Sequence, residues 1–261
     1  MSGKVAILGV QVNNRTRDET LHLLSAWLVT DSPQIHQIAT VNPEFIMMAR
    51  RDSSFARVLQ SVDMATPDGI GVLLAARVLG HRLPERLTGV DLTEILAVMD
   101  NPRPNLYLLG AAPGVAEEAG MRLKMRFPGV QIAGAFSGAP DDDTVPEILG
   151  RIRASGADTL LVAFGAPEQD KWIARHRQEL AACGIVIAIG VGGTFDYLSG
   201  RVPRAPRLIR RIGLEWLYRL IRQPWRWRRQ LALPQFAALV LWERLTGKGK
   251  ASVTSHGSTD K

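Results

Sequence analysis

The chain has 261 residues, 46% of them hydrophobic and 22% charged, and Cys183 is its single cysteine. That is enough to bury a full core as one large domain, or one domain with an appendage, and it excludes wholesale disorder, a disulfide framework and a cysteine-rich metal site. The net charge of +7 is uneven, because residues 1–200 hold 18 Lys and Arg against 22 Asp and Glu, whereas residues 201–229 hold 10 arginines against Glu215 alone; the basic segment points to a local anionic partner.

In chain order, Lys4 to Val10 reads as an opening strand, and Asn13 and Arg15 follow too soon for a secretory signal. Asp18 to Val29 has helical spacing through Leu21, Leu24 and Leu28. Two strand-turn-helix units follow. The run at Ile35–Ala39 ends in Thr40-Val41-Asn42-Pro43, where Asn42 is a good N-cap and Pro43 fits the first helical position. A second run, Val62–Ala65, stops at Thr66-Pro67-Asp68-Gly69 before a helix carrying Ile70, Val72, Leu73 and Leu74. If these strands are parallel neighbours, both polar turns lie at the carboxyl edge of one sheet, where open α/β sheets bind ligands. A polar loop with Arg82 and Arg86 leads to a helix over 91–99.

The second half repeats the grammar. Strands are expected at Leu106–Leu109, Val130–Ala133, Thr159–Gly165 and Ile185–Val191, and helices at 115–127, at 141–154 and after Trp172. The near-continuous apolar runs at Thr159 and Ile185 suit strands covered on both faces. The expected class is therefore α/β, with a Rossmann-like, largely parallel sheet, helices on both faces and a helical C-terminal appendage. From Arg201 the pattern changes to a two-proline linker. A helix follows with Ile209, Ile212, Trp216 and Leu220 on one face and Arg207, Arg211 and Arg222 near the other, and then an apolar run from Leu231 to Leu245, too short to span a bilayer. The expected division is 1–200 as the catalytic domain, 201–246 as a basic amphipathic membrane-binding appendage and 247–261 as a disordered tail.

Asp68, between a stiffening proline and a permissive glycine, is the leading reactive group; the competing reading is a plain helix cap. The turns at Gly110 and at Gly190-Val-Gly192-Gly193-Thr either cradle a diphosphate or allow tight strand-to-helix packing. Neither is a P-loop or a dinucleotide fingerprint, the five histidines make no zinc spacing, and Asp141-Asp142-Asp143 reads most simply as a helix start, so neither cofactor nor metal is expected. The Gly-x-Ser-x-Gly elbow of a covalent mechanism is missing. Arginines interleaved with Trp216, Tyr218, Trp225 and Trp227 fit a membrane surface better than nucleic acid, because apolar and basic residues sort onto different faces; a solvated helix packed on the body is the plainer alternative.

Six motifs in order, Thr-Val-Asn-Pro-Glu-Phe (40–45), Thr-Pro-Asp-Gly-Ile-Gly (66–71), Glu-Arg-Leu-Thr-Gly-Val-Asp (85–91), Phe-Gly-Ala-Pro-Glu-Gln-Asp-Lys-Trp (164–172), Gly-Val-Gly-Gly-Thr-Phe-Asp (190–196) and the Arg-Ala-Pro…Gly-Leu-Glu-Trp-Leu-Tyr-Arg-Leu tail, resemble the WecG/TagA/CpsF family of bacterial glycosyltransferases. The resemblance covers about residues 5 to 235. It implies inverting, metal-independent transfer of a sugar from a UDP donor onto a polyprenyl-diphosphate-linked saccharide, at the cytosolic face of the membrane, for cell-surface polysaccharide. N-acetylmannosamine is the favoured sugar, with glucosyl or uronosyl transfer as alternatives. It also implies Asp68 as general base, Thr40, Asn42, Arg86 and Gln169 in the pocket, and an arginine-rich appendage that binds anionic lipid and closes over the site. Arg207, Arg210 and Arg211 would then join Arg86 on phosphate, Gln169 and Asn42 would orient sugars, and Asp196 would meet the nucleoside. A non-enzymatic membrane adaptor is the rival of another class, and a homo-oligomer is compatible with the sequence.

Overall fold

The computed structural model describes residues 3–30, 34–206, 208–209, 214–222, 224, 227 and 231–247. The chain opens with an antiparallel hairpin, β1 (Lys4–Ile7) and β2 (Val10–Asn13), rather than the single strand expected from Lys4 to Val10. Leu8 and Gly9 both adopt positive φ, 49° and 87°, the backbone of a two-residue hairpin turn, which folds the apolar run back on itself. Asn13 Oδ1 accepts the Ala65 N–H at 2.7 Å, anchoring the hairpin beside the main sheet.

After α1 (Arg17–Val29) come β3 (His36–Val41), α2 (Pro43–Arg51), α3 (Ser53–Ser61), β4 (Met64–Pro67), α4 (Ile70–Val78) and α5 (Gly89–Val98). Next are β5 (Asn105–Gly110), α6 (Val115–Arg126), β6 (Gln131–Phe136), α7 (Val145–Ser155) and β7 (Thr159–Ala163), followed by α8 (Glu168–Arg175), α9 (Arg177–Ala182), β8 (Ile187–Gly190) and the short α10 (Thr194–Leu198). Helices Glu215–Arg222 and Ala232–Thr246 complete the described chain. Helix α7 starts later than the Asp141 cluster because Pro146 is tolerated only in a first turn; residues Asp142–Thr144 form a 3₁₀ turn instead.

Strands β4-β3-β8-β7-β5-β6 form one sheet in that order, and every neighbouring pair is parallel. The alternating side chains load both faces. Ile38, Leu108, Leu161 and Ile189 pack against Leu24 of α1, Leu92 and Leu96 of α5 and Leu123 of α6. On the reverse face, Ala39, Val41 and Ala65 meet Ile46 of α2, Phe55 of α3 and Val72 of α4. Farther along that face, Leu109, Leu160 and Val162 meet Ile152 of α7 and Trp172 of α8. Strand β5 leads outward to β6 while its neighbour β7 leads back to β8, so the chain leaves adjacent strands in opposite directions and opens a crevice at their carboxyl ends.

The Ala232–Thr246 helix joins this packing. Phe236 and Val240 are buried in the cluster formed by α2 and α4, and Arg51 donates to Gln235 at 2.6 Å. Burial of a phenyl ring this complete predicts that Phe236→Ala lowers unfolding stability by about 3 kcal/mol. Leu245→Ala, on the same helix but 82% exposed, should stay within about 0.5 kcal/mol of the parent; urea unfolding of both variants checks the contrast.

Candidate active site

A cleft of about 880 Å³ opens over the carboxyl edge of the sheet. It takes Thr40 and Asn42 from the end of β3, Asp68 and Gly69 from β4, Ala111 and Ala112 from β5, Phe164 to Ala166 from β7, and Val191 to Thr194 from β8. Parallel strands end on the same side, so residues more than 150 positions apart in sequence meet here.

The corner at Asp68 is built from both sides. Strand β4 pairs with β3 in a register that sets Pro67 beside Val41, and the Asp68 N–H donates to the Val41 carbonyl at 2.7 Å. Asn42 caps α2, its Oδ1 accepting the Phe45 N–H at 3.0 Å, with Pro43 in the first turn. A Cβ at Gly71 would stand 2.8 Å from Pro43 Cγ, so the absence of a side chain lets the two helix starts touch. Gly69, not Asp68, occupies the cap position of α4. Gly69 has φ 93° and ψ 157°, a region essentially restricted to glycine.

Arg86 is held beside this corner by the backbone next to it. The Leu87 N–H donates to the Pro67 carbonyl at 2.8 Å, and the Thr66 hydroxyl donates to the Leu87 carbonyl at 2.9 Å. The Arg86 guanidinium donates to Glu215 Oε2 at 3.1 Å. Glu215 also faces Arg204 at 3.8 Å, and Arg204 donates to Asp91 at 3.2 Å. Burial alone would raise the Asp91 carboxyl, but hydrogen bonds from the Thr88 backbone and hydroxyl, with the Arg204 charge, hold it below the usual carboxylate range. Arg86, Arg204 and Glu215 all line the cleft. Two guanidinium groups share Glu215, Asp91 and Glu94 here, and partly exposed pairs of this kind are worth only about 1 kcal/mol each, so an incoming phosphate can compete for the guanidinium groups.

Gln169 is buried at the first turn of α8, and its Oε1 accepts the Gly192 N–H at 2.9 Å, tying the β7 and β8 turns together. A Cβ on Gly190 would come within 2.6 Å of Gln169 Nε2 and 2.8 Å of Asp170 Oδ1, so the glycine makes room for both side chains over the strand. Asp170 is completely buried, and neither carboxyl oxygen has a hydrogen-bond partner of normal geometry among the described residues. Burial pushes its carboxyl up to about 7, against the weaker opposite pull of Gln169.

The other residues singled out by sequence fall into three groups. Thr40 lines the cleft, but its hydroxyl donates to the Gly190 carbonyl at 3.2 Å and ties β3 to β8. Gly192, Gly193 and Asp196 line the cleft, whereas Gly110 does not; a Cβ there would strike Phe164 at 2.8 Å, so tight packing accounts for that glycine. Arg207, Arg210 and Arg211 lie outside the described residues. Sequence reasoning did not single out Arg204, Glu215, Thr88, Tyr197 or the Leu233–Leu241 face of the last helix as site residues. Arg204 and Glu215 fall within the Arg-Ala-Pro…Gly-Leu-Glu-Trp motif and Thr88 within Glu-Arg-Leu-Thr-Gly-Val-Asp, so the resemblance marks those stretches without giving these residues a site role. Among the described residues, no three His, Cys, Asp or Glu side chains gather as metal ligands, and no helix is long and apolar enough to cross a membrane.

The structure is an open parallel α/β sheet whose carboxyl edge gathers a carboxylate corner, two guanidinium groups and glycine turns in one cleft. A family model described as the glycosyl transferase WecG/TagA/CpsF family matches residues 5–250. The chain belongs to that family and is a glycosyltransferase. It is 37% identical over 212 residues to the N-acetylglucosaminyldiphosphoundecaprenol N-acetyl-beta-D-mannosaminyltransferase of Bacillus subtilis (strain 168), covering 81% of each chain. It is 39% identical over 213 residues, again 81% of each, to the protein of that name from Bacillus spizizenii. A Staphylococcus aureus (strain NCTC 8325) protein of the same name is 29% identical over 222 residues, 84% of this chain and 85% of its own.

Two consequences are measurable. Gly69→Ala forces a side chain into a glycine-only conformation and should cost about 1–3 kcal/mol in urea unfolding, although a Cβ there would meet open space. For Asp170, the unfolded carboxyl titrates near 3.9 and the folded one near 7. Between those values the native state keeps a proton that the unfolded state has released, so this group's contribution to stability falls as pH rises from about 4 to 7 and levels off above. Asp170→Asn should flatten that slope in melting temperatures taken across the same window.

Proposed function

We propose that this glycosyltransferase moves N-acetylmannosamine from a UDP donor onto the N-acetylglucosamine of a polyprenyl-diphosphate-linked acceptor, with inversion and without a bound metal, in the assembly of a cell-surface polysaccharide. The acceptor and the sugar follow from the names of the Bacillus and Staphylococcus relatives. The observation that carries the reading to this chain is the Asp68 corner, a carboxylate in a proline-glycine turn within the same cleft as Arg86.

The reaction is a direct displacement. The Asp68 carboxylate takes the proton from the attacking acceptor hydroxyl as its oxygen forms a bond to the anomeric carbon of the donor sugar. The bond between that carbon and the diphosphate oxygen breaks, and UDP leaves with the electron pair. Arg86 and Arg204 offset the negative charge that grows on the leaving diphosphate, the role of preorganised cations aimed at developing charge. The Gly193 backbone N–H supplies a further donor, that of Gly192 being taken by Gln169. Asn42 and Gln169 orient the sugars; the Asn42 oxygen already accepts a backbone N–H, which leaves its Nδ2 amide hydrogens for substrate. Asp196 contacts the nucleoside.

In this reading residues 1–200 are the catalytic body, and the basic segment within 201–246 docks on anionic lipid at the cytosolic face, with its arginines, Arg207, Arg210 and Arg211 among them, turned to phosphate. Support comes from the ten arginines of residues 201–229 and from Trp216, Ile221 and Trp227, each at least 40% exposed. Asp68→Asn should lower kcat by about 10²–10⁴ while leaving UDP binding in a thermal-shift assay intact. Turnover of the parent should be unchanged by a chelator. Near-normal turnover of the variant would remove Asp68 from the base role, and activity lost to chelator and restored by manganese would end the arginine account.

A further inference from the structure

The cleft is two-sided. Asp68, Arg86, Arg204 and the Gly192 turn form a polar end, and the opposite end is a trough between α4 and the Ala232–Thr246 helix. Every residue these two helices contribute to the lining is apolar. On α4 they include Ile70, Leu74 and Val78, spaced i, i+4, i+8 along one stripe; on the last helix they include Leu233, Phe236 and Leu241. Met48 of α2 extends the same wall.

Among the described residues, the trough is unfilled by protein. Leu74, Val78 and Leu241 are 53%, 37% and 55% exposed although they line a concave surface, while Phe236 and Val240 behind them are buried and fix the helix in place. The stripe also has a direction. It begins at Ile70, two residues after Asp68, and Val78 lies about 12 Å farther along the α4 axis. A ligand whose reacting sugar sits at Asp68 would continue from that polar corner into an apolar trough. A polar saccharide end followed by hydrocarbon is the order of groups in a lipid-linked sugar.

We infer that the trough between α4 and the Ala232–Thr246 helix binds the first isoprene units of the acceptor's lipid tail, next to its diphosphate, so that the enzyme reads the lipid as well as the sugar. This rests on the acceptor class proposed above. The argument for this occupant is continuity, because the apolar stripe begins two residues after Asp68 in the same cleft, and complementarity, because the lining around Asp68 is charged and polar whereas the trough has neither charge nor hydrogen-bonding side chains on its two helices. A segment inserted only into the bilayer would have no reason to be continuous with the catalytic corner.

The test uses the full chain with synthetic N-acetylglucosaminyl diphosphates carrying a methyl, geranyl or farnesyl group. KM should fall about tenfold or more from methyl to farnesyl, a modest return on burying this much hydrocarbon. Leu74→Glu and Leu241→Glu, both at half-exposed positions that a charge can occupy without unfolding the chain, should bring the ratio of the two KM values close to one. Leu245→Glu, on the same helix and outside the trough, should keep the parent's ratio. In parallel, calorimetric binding of farnesyl diphosphate against methyl diphosphate gives a readout independent of turnover, and Leu74→Glu should erase the farnesyl preference. A parent protein indifferent to tail length in both assays, or variants that keep the preference and lose only vesicle binding, would overturn the trough assignment. Tail preference in the binding assay with no sugar transfer to any acceptor would leave the trough standing and overturn the acceptor reading instead.

Discussion

The parallel pairing of β3 with β4 is the constraint from which the site follows. The register that sets Val41 beside Pro67 brings two turns, Asn42-Pro43 and Asp68-Gly69, to one corner. Each residue there solves a local problem. Asn42 supplies a cap, Pro43 a first helical turn, Gly69 a conformation closed to other residues, and Gly71 a surface bare enough for Pro43 to rest on. Shifting the register by one residue would turn Ile38 and Met64 away from their core and dissolve the corner with it.

Charge in the cleft is arranged by relay. Thr66 and Pro67 pin the backbone around Leu87, which aims Arg86; Glu215 then bridges Arg86 and Arg204, and Asp91, held by Thr88, fixes the far side of Arg204. These are partly exposed pairs of modest strength, so they orient the cations without locking them away from a substrate. Glu215 comes from the segment with the highest density of arginine, and its carboxylate draws that segment onto the body.

The remainder of the cleft is amphiphilic by construction. The last described helix buries Phe236 and Val240 against α2 and α4 and turns a second apolar stripe into the opening. The same helix therefore serves the core and the site, an economy available because its apolar surface is wider than α2 and α4 can cover. Below the floor, Asp170 stays buried with no hydrogen-bond partner of normal geometry among the described residues, beside the Gln169 that joins two of the glycine turns, an energetically costly arrangement.

Much of this was legible in the chain itself. Strand runs near Ile38, Leu108, Leu161 and Ile189, the Asn42 cap and the Asp68 turn are local signals, since apolar periodicity and turn chemistry are properties of short stretches. The hairpin at Leu8-Gly9 was missed because a leucine at positive φ is not a turn residue by composition, and Gly110 looked like a phosphate cradle because sequence does not reveal that Phe164 packs against it. Nor does sequence give strand order, and strand order decides which turns share an edge. Only the tertiary structure joins Arg86 to Glu215 across 129 positions and brings Leu241 and Leu74 into one cleft. Contacts between distant residues depend on how the whole sheet is wound, and no local pattern encodes that.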